Sequence, residues 1–314
     1  MLSKKIPLVS IIITTKNEEK NIKNCLESIK YQAYPQEKIE IIVVDNHSTD
    51  KTVEIVQEFS KKFTLLNVKL FNRGPERSAQ RNYGIKMAKG KYVMYLDADM
   101  ILSPTVIKKA VEKLETSNVF LCAFYIPEIV LGNSYWSQVR RFERSFYDGT
   151  VIDCARFIKK DVFEKVGGFD LSMTGPEDWD LDKKIRKIGK IGLLDKYSYA
   201  VIDNKLQKVN HKGFDLVKKL GDLSNLGLIY HNEAEFNLKN YLRKKKYYSQ
   251  SFENYIQNWG KNDLDIKKQF GLWYRYIKVY WNMNSYFRII NYPHLFLGMG
   301  FLRFLVGFNY FFKK

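Results

Sequence analysis

Cysteine is scarce in this 314-residue chain, and acidic residues are outnumbered. Cys25, Cys122 and Cys154 form an odd set without metal-ligand spacing, which argues against a disulfide framework and for a reducing compartment. In such a compartment the glycosylation sequon Asn46-His47-Ser48 carries no meaning. Lysine and arginine number 52 against 34 aspartates and glutamates, a formal net charge of +18. That surplus implies an anionic partner: nucleic acid, an acidic membrane surface or a phosphorylated substrate. The opening Met-Leu-Ser-Lys-Lys-Ile-Pro lacks the apolar segment of a signal peptide and runs straight into a strand pattern. There is no internal repeat and no low-complexity linker. With 45% hydrophobic and 27% charged residues, the composition is that of a folded chain with one large core or two moderate ones.

What is present in the first half is alternation. Leu8–Thr14, Ile39–Val44, Val68–Phe71, Tyr92–Leu96 and Val119–Tyr125 read as strands, the apolar ones as buried parallel strands. Between them, helices are expected over Glu19–Ile29, Thr52–Phe59 (capped by Ser48 or Thr49), Arg77–Met87, and from Ser103-Pro104 to Leu114. This order predicts a doubly wound, mostly parallel α/β sheet with helices on both faces. Ligands bind such sheets at the carboxyl ends of strands, where Thr15, Asp45 and Asp97 fall. From about Trp136 onward the chain is richer in aromatic and basic residues and poorer in clean strands.

Several polar clusters carry chemistry. Asp97-Ala98-Asp99 ends an apolar strand, and two carboxylates so placed can share a divalent cation and a sugar hydroxyl; oxygen ligands suit Mg²⁺ or Mn²⁺. The plainer alternative is a solvated turn. Asp45 ends another strand, where a carboxylate can accept from a base N–H or a ribose hydroxyl, or simply cap the next helix. Arg77 and Arg81 lie one helical turn apart and can face one anionic ligand. Glu177-Asp178 follows the turn signal Gly175-Pro176 and opens a helix over Trp179–Ile188, a place that favours negative charge. His231, after the apolar run Leu226–Tyr230, reads equally as a core histidine or a ligand.

Taken together these segments resemble glycosyltransferase family 2 with the GT-A fold, over roughly residues 8–235. The carriers are Val9–Glu19, the Asp45 segment, Arg81-Asn82-x-Gly84, Asp97-x-Asp99, Gly167-Gly168-Phe169-Asp170 and Gly175-Pro176-Glu177-Asp178. The resemblance implies that Thr15 and Asp45, with Glu18 beside them, hold the nucleotide base, and that Arg77 or Arg81 lies near base or phosphate. It implies Asp97 on the ribose and sugar side, Asp99, His231 and Asp97 as metal-site residues, and Asp178 as catalytic base with Glu177 as its neighbour. Mn²⁺ or Mg²⁺ is the implied cofactor, and a nucleotide-sugar, UDP being favoured, the implied donor. Two departures stand out. Asn46 replaces the second carboxylate of the common Asp-Asp-Gly-Ser form. No Gln-x-x-Arg-Trp follows Glu177-Asp178, which argues for transfer of one sugar per acceptor rather than processive synthesis.

The expected layout is a catalytic domain over 1–235, with a nucleotide-sugar half to about 125 and an acceptor half over 126–235, followed by a helical aromatic and basic region over 236–314. There, Arg243, Lys244, Lys245 and Lys246 sit among tyrosines, and Tyr292–Phe312 is strongly apolar before Lys313-Lys314. Arg303, at a cost of about 2.5–3.5 kcal/mol at a bilayer centre, would join Gly300 and Gly307 in a thin polar stripe. That pattern is expected to give an interfacial or re-entrant helix, with a buried helix as the competing view. The implied setting is the cytoplasmic side of a membrane, peripheral or monotopic, on an anionic surface. The implied acceptor is a saccharide, favoured as lipid-linked; a polyprenyl phosphate itself is the second option. Nucleic-acid binding leaves the strand-end carboxylates unexplained, and an inactive scaffold would be expected to lack Asp99 or Asp178. Both are present.

Overall fold

The computed structural model describes residues 5–208, 212–220, 223, 225–233, 235–280 and 283–311. Ten strands occur in it: β1 (Val9–Thr15), β2 (Ile39–Asp45), β3 (Asn67–Asn72), β4 (Tyr92–Asp97), β5 (Met100–Leu102), β6 (Leu121–Tyr125), β7 (Glu128–Leu131), β8 (Ala155–Lys159), β9 (Lys190–Leu193) and β10 (Ile229–Asn232). The main sheet has the order β3-β2-β1-β4-β8-β6-β9. β3, β2, β1 and β4 run parallel, β8 is antiparallel to β4 and β6, and β9 is parallel to β6.

The apolar runs are continuous because both faces of this sheet are covered. Ile11, Ile13, Ile41 and Val43 pack with Leu26, Val56 and Ile107 from α1 (Ile22–Lys30), α2 (Thr52–Lys62) and α4 (Val106–Thr116). Their neighbours Ile12, Ile42 and Val44 pack on the other side with Ile85, Val162 and Leu181, from α3 (Arg77–Met87), α6 (Lys160–Lys165) and α7 (Glu177–Arg186). Each such isoleucine, wholly buried, contributes about 1.5–3 kcal/mol. α3 lies so close that a Cβ on Gly84 would stand 2.6 Å from Ile12 Cγ2.

The α/β alternation is therefore as expected, with three local corrections. Ser48 and Thr49 do not cap α2. Ser48 Oγ turns back onto Asp45 Oδ1 at 2.5 Å, and Asp50 Oδ1 takes the Thr52 N–H at 3.0 Å instead. Ser103 does not cap α4 either; its Oγ accepts from Leu228 N at 2.9 Å, which ties it to the chain entering β10. Finally α7 starts at Glu177, two residues before the expected Trp179.

A second, three-stranded sheet (β5-β10-β7) was not foreseen. Its strands are too short to read by periodicity. Its register sets His231 opposite Met100, the residue after Asp99, and Asn232 N donates to Asp99 O at 2.9 Å.

The remaining helices are α5 (Tyr135–Arg144), α8 (Tyr199–Lys208), α9 (Gly213–Lys219), α10 (Leu238–Tyr248), α11 (Phe252–Trp259), α12 (Leu264–Phe270), α13 (Leu272–Tyr276), α14 (Met283–Asn291) and α15 (Pro293–Phe311). α15 corrects the expected polar stripe. Leu295, Met299 and Leu302 are buried in a cluster with Val139 and Phe142 of α5. Arg303 is 6% exposed and reaches Glu143 Oε1 at 3.2 Å, so it faces the protein interior. Leu297, Phe301, Phe304 and Phe308 form the exposed stripe. Phe312, Lys313 and Lys314 lie outside the described residues. Among the described residues no helix is long and apolar enough to cross a membrane.

Candidate active site

The expected donor residues meet at the carboxyl edge of β1, β2 and β4, and α7 brings Glu177 and Asp178 to them. Arg81 joins the two groups. Its guanidinium donates to Asp97 Oδ1 at 2.9 Å and to Asp178 Oδ1 at 3.0 Å, and it lies over the Tyr95 ring at 4.6 Å. Arg81 has no exposed surface. It is a strut holding two carboxylates. Burial alone would weaken its charge, but Asp178 and Asp97 outweigh that and hold its proton more tightly than usual.

Arg77, one turn earlier, donates to Glu177 Oε1 at 3.0 Å, lies 3.8 Å from Asp97 Oδ2, and keeps 29% of its side chain exposed. Of the two arginines, it is the one a ligand can touch. Burial would raise the Asp97 carboxyl, yet Arg81 and Arg77 hold it well below the usual carboxylate range. Glu177 is 1% exposed and bonded to Arg77 and to Gly175 N–H. Burial, then the Asp178 charge, raises it. It holds Arg77 and the turn at Gly175 in place. Asp178 takes both its contacts on Oδ1, the second from Tyr95 OH at 3.1 Å. The turn before this pair needs glycine: Gly175 has φ +111°, and a Cβ there would stand 2.7 Å from Tyr248.

Asp99 and His231, 132 positions apart, meet across β5 and β10, with Nε2 2.9 Å from Asp99 Oδ2. Glu233 lies 3.6 Å from the other ring nitrogen. Burial would push the imidazole down, but the Asp99 charge and hydrogen bond raise it to about 9. Glu18, half-buried, is raised by burial and further by Asp99 and Asp97, while Asn21 opposes this.

At the far end of the cleft Thr15 Oγ1 is buried and has no hydrogen-bond partner. Asp45 is 2% exposed, and both its oxygens are taken by Ser48, N–H at 2.8 Å and Oγ at 2.5 Å. It therefore shapes the loop after β2 as well as standing beside the cleft. Asn46 donates to Pro75 O at 2.7 Å, a structural use for the residue that replaces the second carboxylate.

Residues 10–167, half of the chain, match the sequence model of glycosyl transferase family 2. The chain belongs to glycosyltransferase family 2. Among curated relatives, the glycosyltransferase AglE of Haloferax volcanii is 30% identical over 192 residues, 59% of this chain and 63% of that protein. A dolichyl N-acetyl-α-D-glucosaminyl phosphate 3-β-D-2,3-diacetamido-2,3-dideoxy-β-D-glucuronosyltransferase of Methanococcus voltae is 37% identical over 105 residues, a third of each chain. This chain thus spans less than two thirds of the length of either. The mannosyltransferase PcManGT of Pyrobaculum calidifontis, solved with GDP-Man and Mn²⁺, shares the fold. The TM-score is 0.62 at 19% identity, covering 99% of this chain and 89% of that one.

The family's GT-A fold implies a divalent cation at Asp99. Among the described residues no three His, Cys, Asp or Glu side chains converge into a cage. Asp99 Oδ1 is nevertheless buried without a partner beside the imidazole. This donor set fits a hard cation bound by one carboxylate and one histidine, with substrate phosphates and water completing its shell. Asp97 is held by Arg81 through Oδ1 at 2.9 Å, and its Oδ2 lies 3.8 Å from Arg77.

Sequence reasoning missed three participants. Tyr95, fully buried, supports Asp178. Tyr248 stacks on Arg77 at 4.8 Å. Arg156, also over Tyr95, pairs with Glu128 at 2.9 Å. A signal for Tyr248 existed: Tyr241, Lys245 and Tyr248 recur at i, i+4 and i+7, one face of α10. That segment was expected to meet a membrane; this face of it lines a cavity beside Arg77 and Asp178.

Proposed function

We propose that this chain is an inverting glycosyltransferase that moves one sugar from a nucleotide-sugar, UDP favoured, to a hydroxyl of a lipid-linked saccharide. The observation that carries the reading is the Asp97–Arg81–Asp178 link, which sets a donor-side carboxylate and an acceptor-side carboxylate on one guanidinium. Arg81 and Tyr95 orient Asp178, which takes the proton of the acceptor hydroxyl as its oxygen bonds to the anomeric carbon. The bond from that carbon to the donor diphosphate breaks on the opposite face, so the configuration inverts. Thr15, Asp45 and Glu18 bound the nucleoside end, and Arg77 faces the phosphates. Mn²⁺ or Mg²⁺ on Asp99 and His231 would neutralise charge on the departing diphosphate. Screening nucleotide-sugars with Mn²⁺ should reveal at least one that the chain hydrolyses slowly to nucleoside diphosphate. A folded protein that hydrolyses none overturns the reading.

The lipid part of the proposal rests on α15. Its residues 297, 301, 304 and 308 follow i, i+4, i+7, i+11 and are all exposed, about 200° of helical rotation from the buried stripe. An apolar exposed stripe on a chain of charge +18 suits an anionic cytoplasmic membrane surface, with the protein held peripherally. Replacing Leu297, Phe301, Phe304 and Phe308 together by serine should cut co-sedimentation with phosphatidylserine vesicles at least about tenfold, since four large apolar groups no longer bury. Melting temperature should hold, because these side chains are not core. Wild-type protein that ignores such vesicles at low salt would end the membrane reading.

A further inference from the structure

A cavity of about 560 Å³ opens beside Asp178 and Arg77 and is walled by α5, α7, α10, α13 and α15. Its volume is that of a ligand site. Of the donor-side residues only Arg77 lines it; Thr15, Asp45, Asp97, Asp99 and His231 do not, so it extends away from the nucleoside and metal end. Eight lysines and arginines line it against three carboxylates, Glu128, Glu143 and Asp178.

The carboxylates are already engaged. Glu128 serves Arg144 and Arg156, Glu143 serves Arg140 and Arg303, and Asp178 serves Arg81. Among the described residues Arg275 and Lys245 have no ion pair, although both line the cavity. Arg303 is 6% exposed, yet its Nη2 has no hydrogen-bond partner, and neither has Arg275 Nη1. Arg303 also donates to the backbone carbonyl of Arg275, which fixes α13 against α15. Buried donors left unmade cost free energy, and buried charge is normally paired. This wall is short of negative charge.

The strain on the cluster shows in two groups. Burial pushes the Arg303 guanidinium down, and Glu143 only partly offsets this. Burial, then Arg140 and Arg275, push the Lys245 ammonium down to about 7, with Glu143 opposing.

We infer that this cavity is the acceptor subsite and that Arg275, Arg303 and Lys245 bind a phosphate or diphosphate group carried by the acceptor while its hydroxyl faces Asp178. The inference rests on the transfer reading above. A phosphoryl group fits better than a sugar carboxylate because three cations share too little internal charge. One carboxylate, like a phosphate diester bridging lipid and sugar, supplies a single negative charge, whereas a terminal phosphate or a diphosphate supplies close to two with several acceptor oxygens.

The test is calorimetric binding of geranyl diphosphate, inorganic pyrophosphate and geraniol to the full chain in excess chelator, which silences the metal site. Geranyl diphosphate should bind and geraniol should not. Arg275→Gln and Lys245→Gln should each weaken geranyl diphosphate at least about tenfold, the order of one charged hydrogen bond lost. Neither variant strands a buried carboxylate, so both should fold. Arg243→Gln, on the exposed side of α10, should bind like wild type. Geranyl diphosphate much tighter than pyrophosphate identifies a lipid source; equal affinities identify a soluble or polymeric phosphate. Unchanged affinity in both folded variants, or geraniol binding as tightly as its diphosphate, overturns the inference. Since binding is read without turnover, a chain that hydrolyses no nucleotide-sugar sinks the transferase reading and not this result.

Discussion

Replacing Asp178 by asparagine is expected to slow sugar transfer by about 10²–10⁴-fold, the range for removing a general base, with donor affinity near wild type. The substitution is isosteric. Asparagine Oδ1 can still accept from Arg81 and Tyr95, which hold the aspartate at 3.0 and 3.1 Å. What disappears is the capacity to take a proton. Arg81 loses one of its two short carboxylate contacts and keeps Asp97 at 2.9 Å. Folding stability should therefore fall only modestly, by far less than the about 3–5 kcal/mol of leaving a buried charge with no partner. Tyr95→Phe supplies the comparison: it removes one orienting hydrogen bond and leaves the base, so its loss should be much smaller. Donor binding and single-turnover transfer, measured side by side, decide the matter. If donor affinity collapses while transfer per bound donor is unchanged, Asp178 is a binding residue and the mechanism needs another base.

The sheet was legible because β1, β2 and β4 are apolar runs closed by a polar residue. Thr15, Asp45 and Asp97 sit at their carboxyl ends, as pattern and topology together require. β8 was not legible: Ala155–Lys159 is five residues with two of its side chains basic, and it is a strand because β4 and β6 leave a gap between them. The burial of Arg81 was equally hidden. Helical spacing places it beside Arg77 but says nothing of Asp178, which arrives from 97 positions away. α15 misled for a different reason. Both of its faces are apolar, so periodicity cannot distinguish the stripe that packs on α5 from the stripe left outside. Arg303 then looks like an intruder in an apolar run until Glu143 is seen beneath it. Asp99 and His231 were paired by family resemblance alone; only the register of β10 on β5 gives that pairing a physical cause.

Asp99→Asn is expected to abolish metal-stimulated turnover, with Mn²⁺ affinity in the presence of nucleoside diphosphate falling at least about 10²-fold, beyond the loss typical of supporting groups. The fold should survive, because Asp99 and His231 are each only partly buried and their contact is one hydrogen bond. The pH dependence gives a second, independent readout. Without metal, His231 has its proton affinity raised to about 9, first against burial and then by Asp99. A metal ligand must be the neutral imidazole, so cation and proton compete for the same nitrogen. Below about pH 9 the histidine is protonated, each bound cation displaces one proton, and apparent affinity should rise about tenfold per pH unit. In Asp99→Asn the main cause of the raised value is gone, so the midpoint of that rise should move to lower pH. His231→Gln should remove the slope altogether, since nothing is left to deprotonate at that position. Full turnover of wild-type protein in excess chelator would sink the metal assignment, and Asp99 with His231 would then be no more than an ion pair fastening β5 to β10.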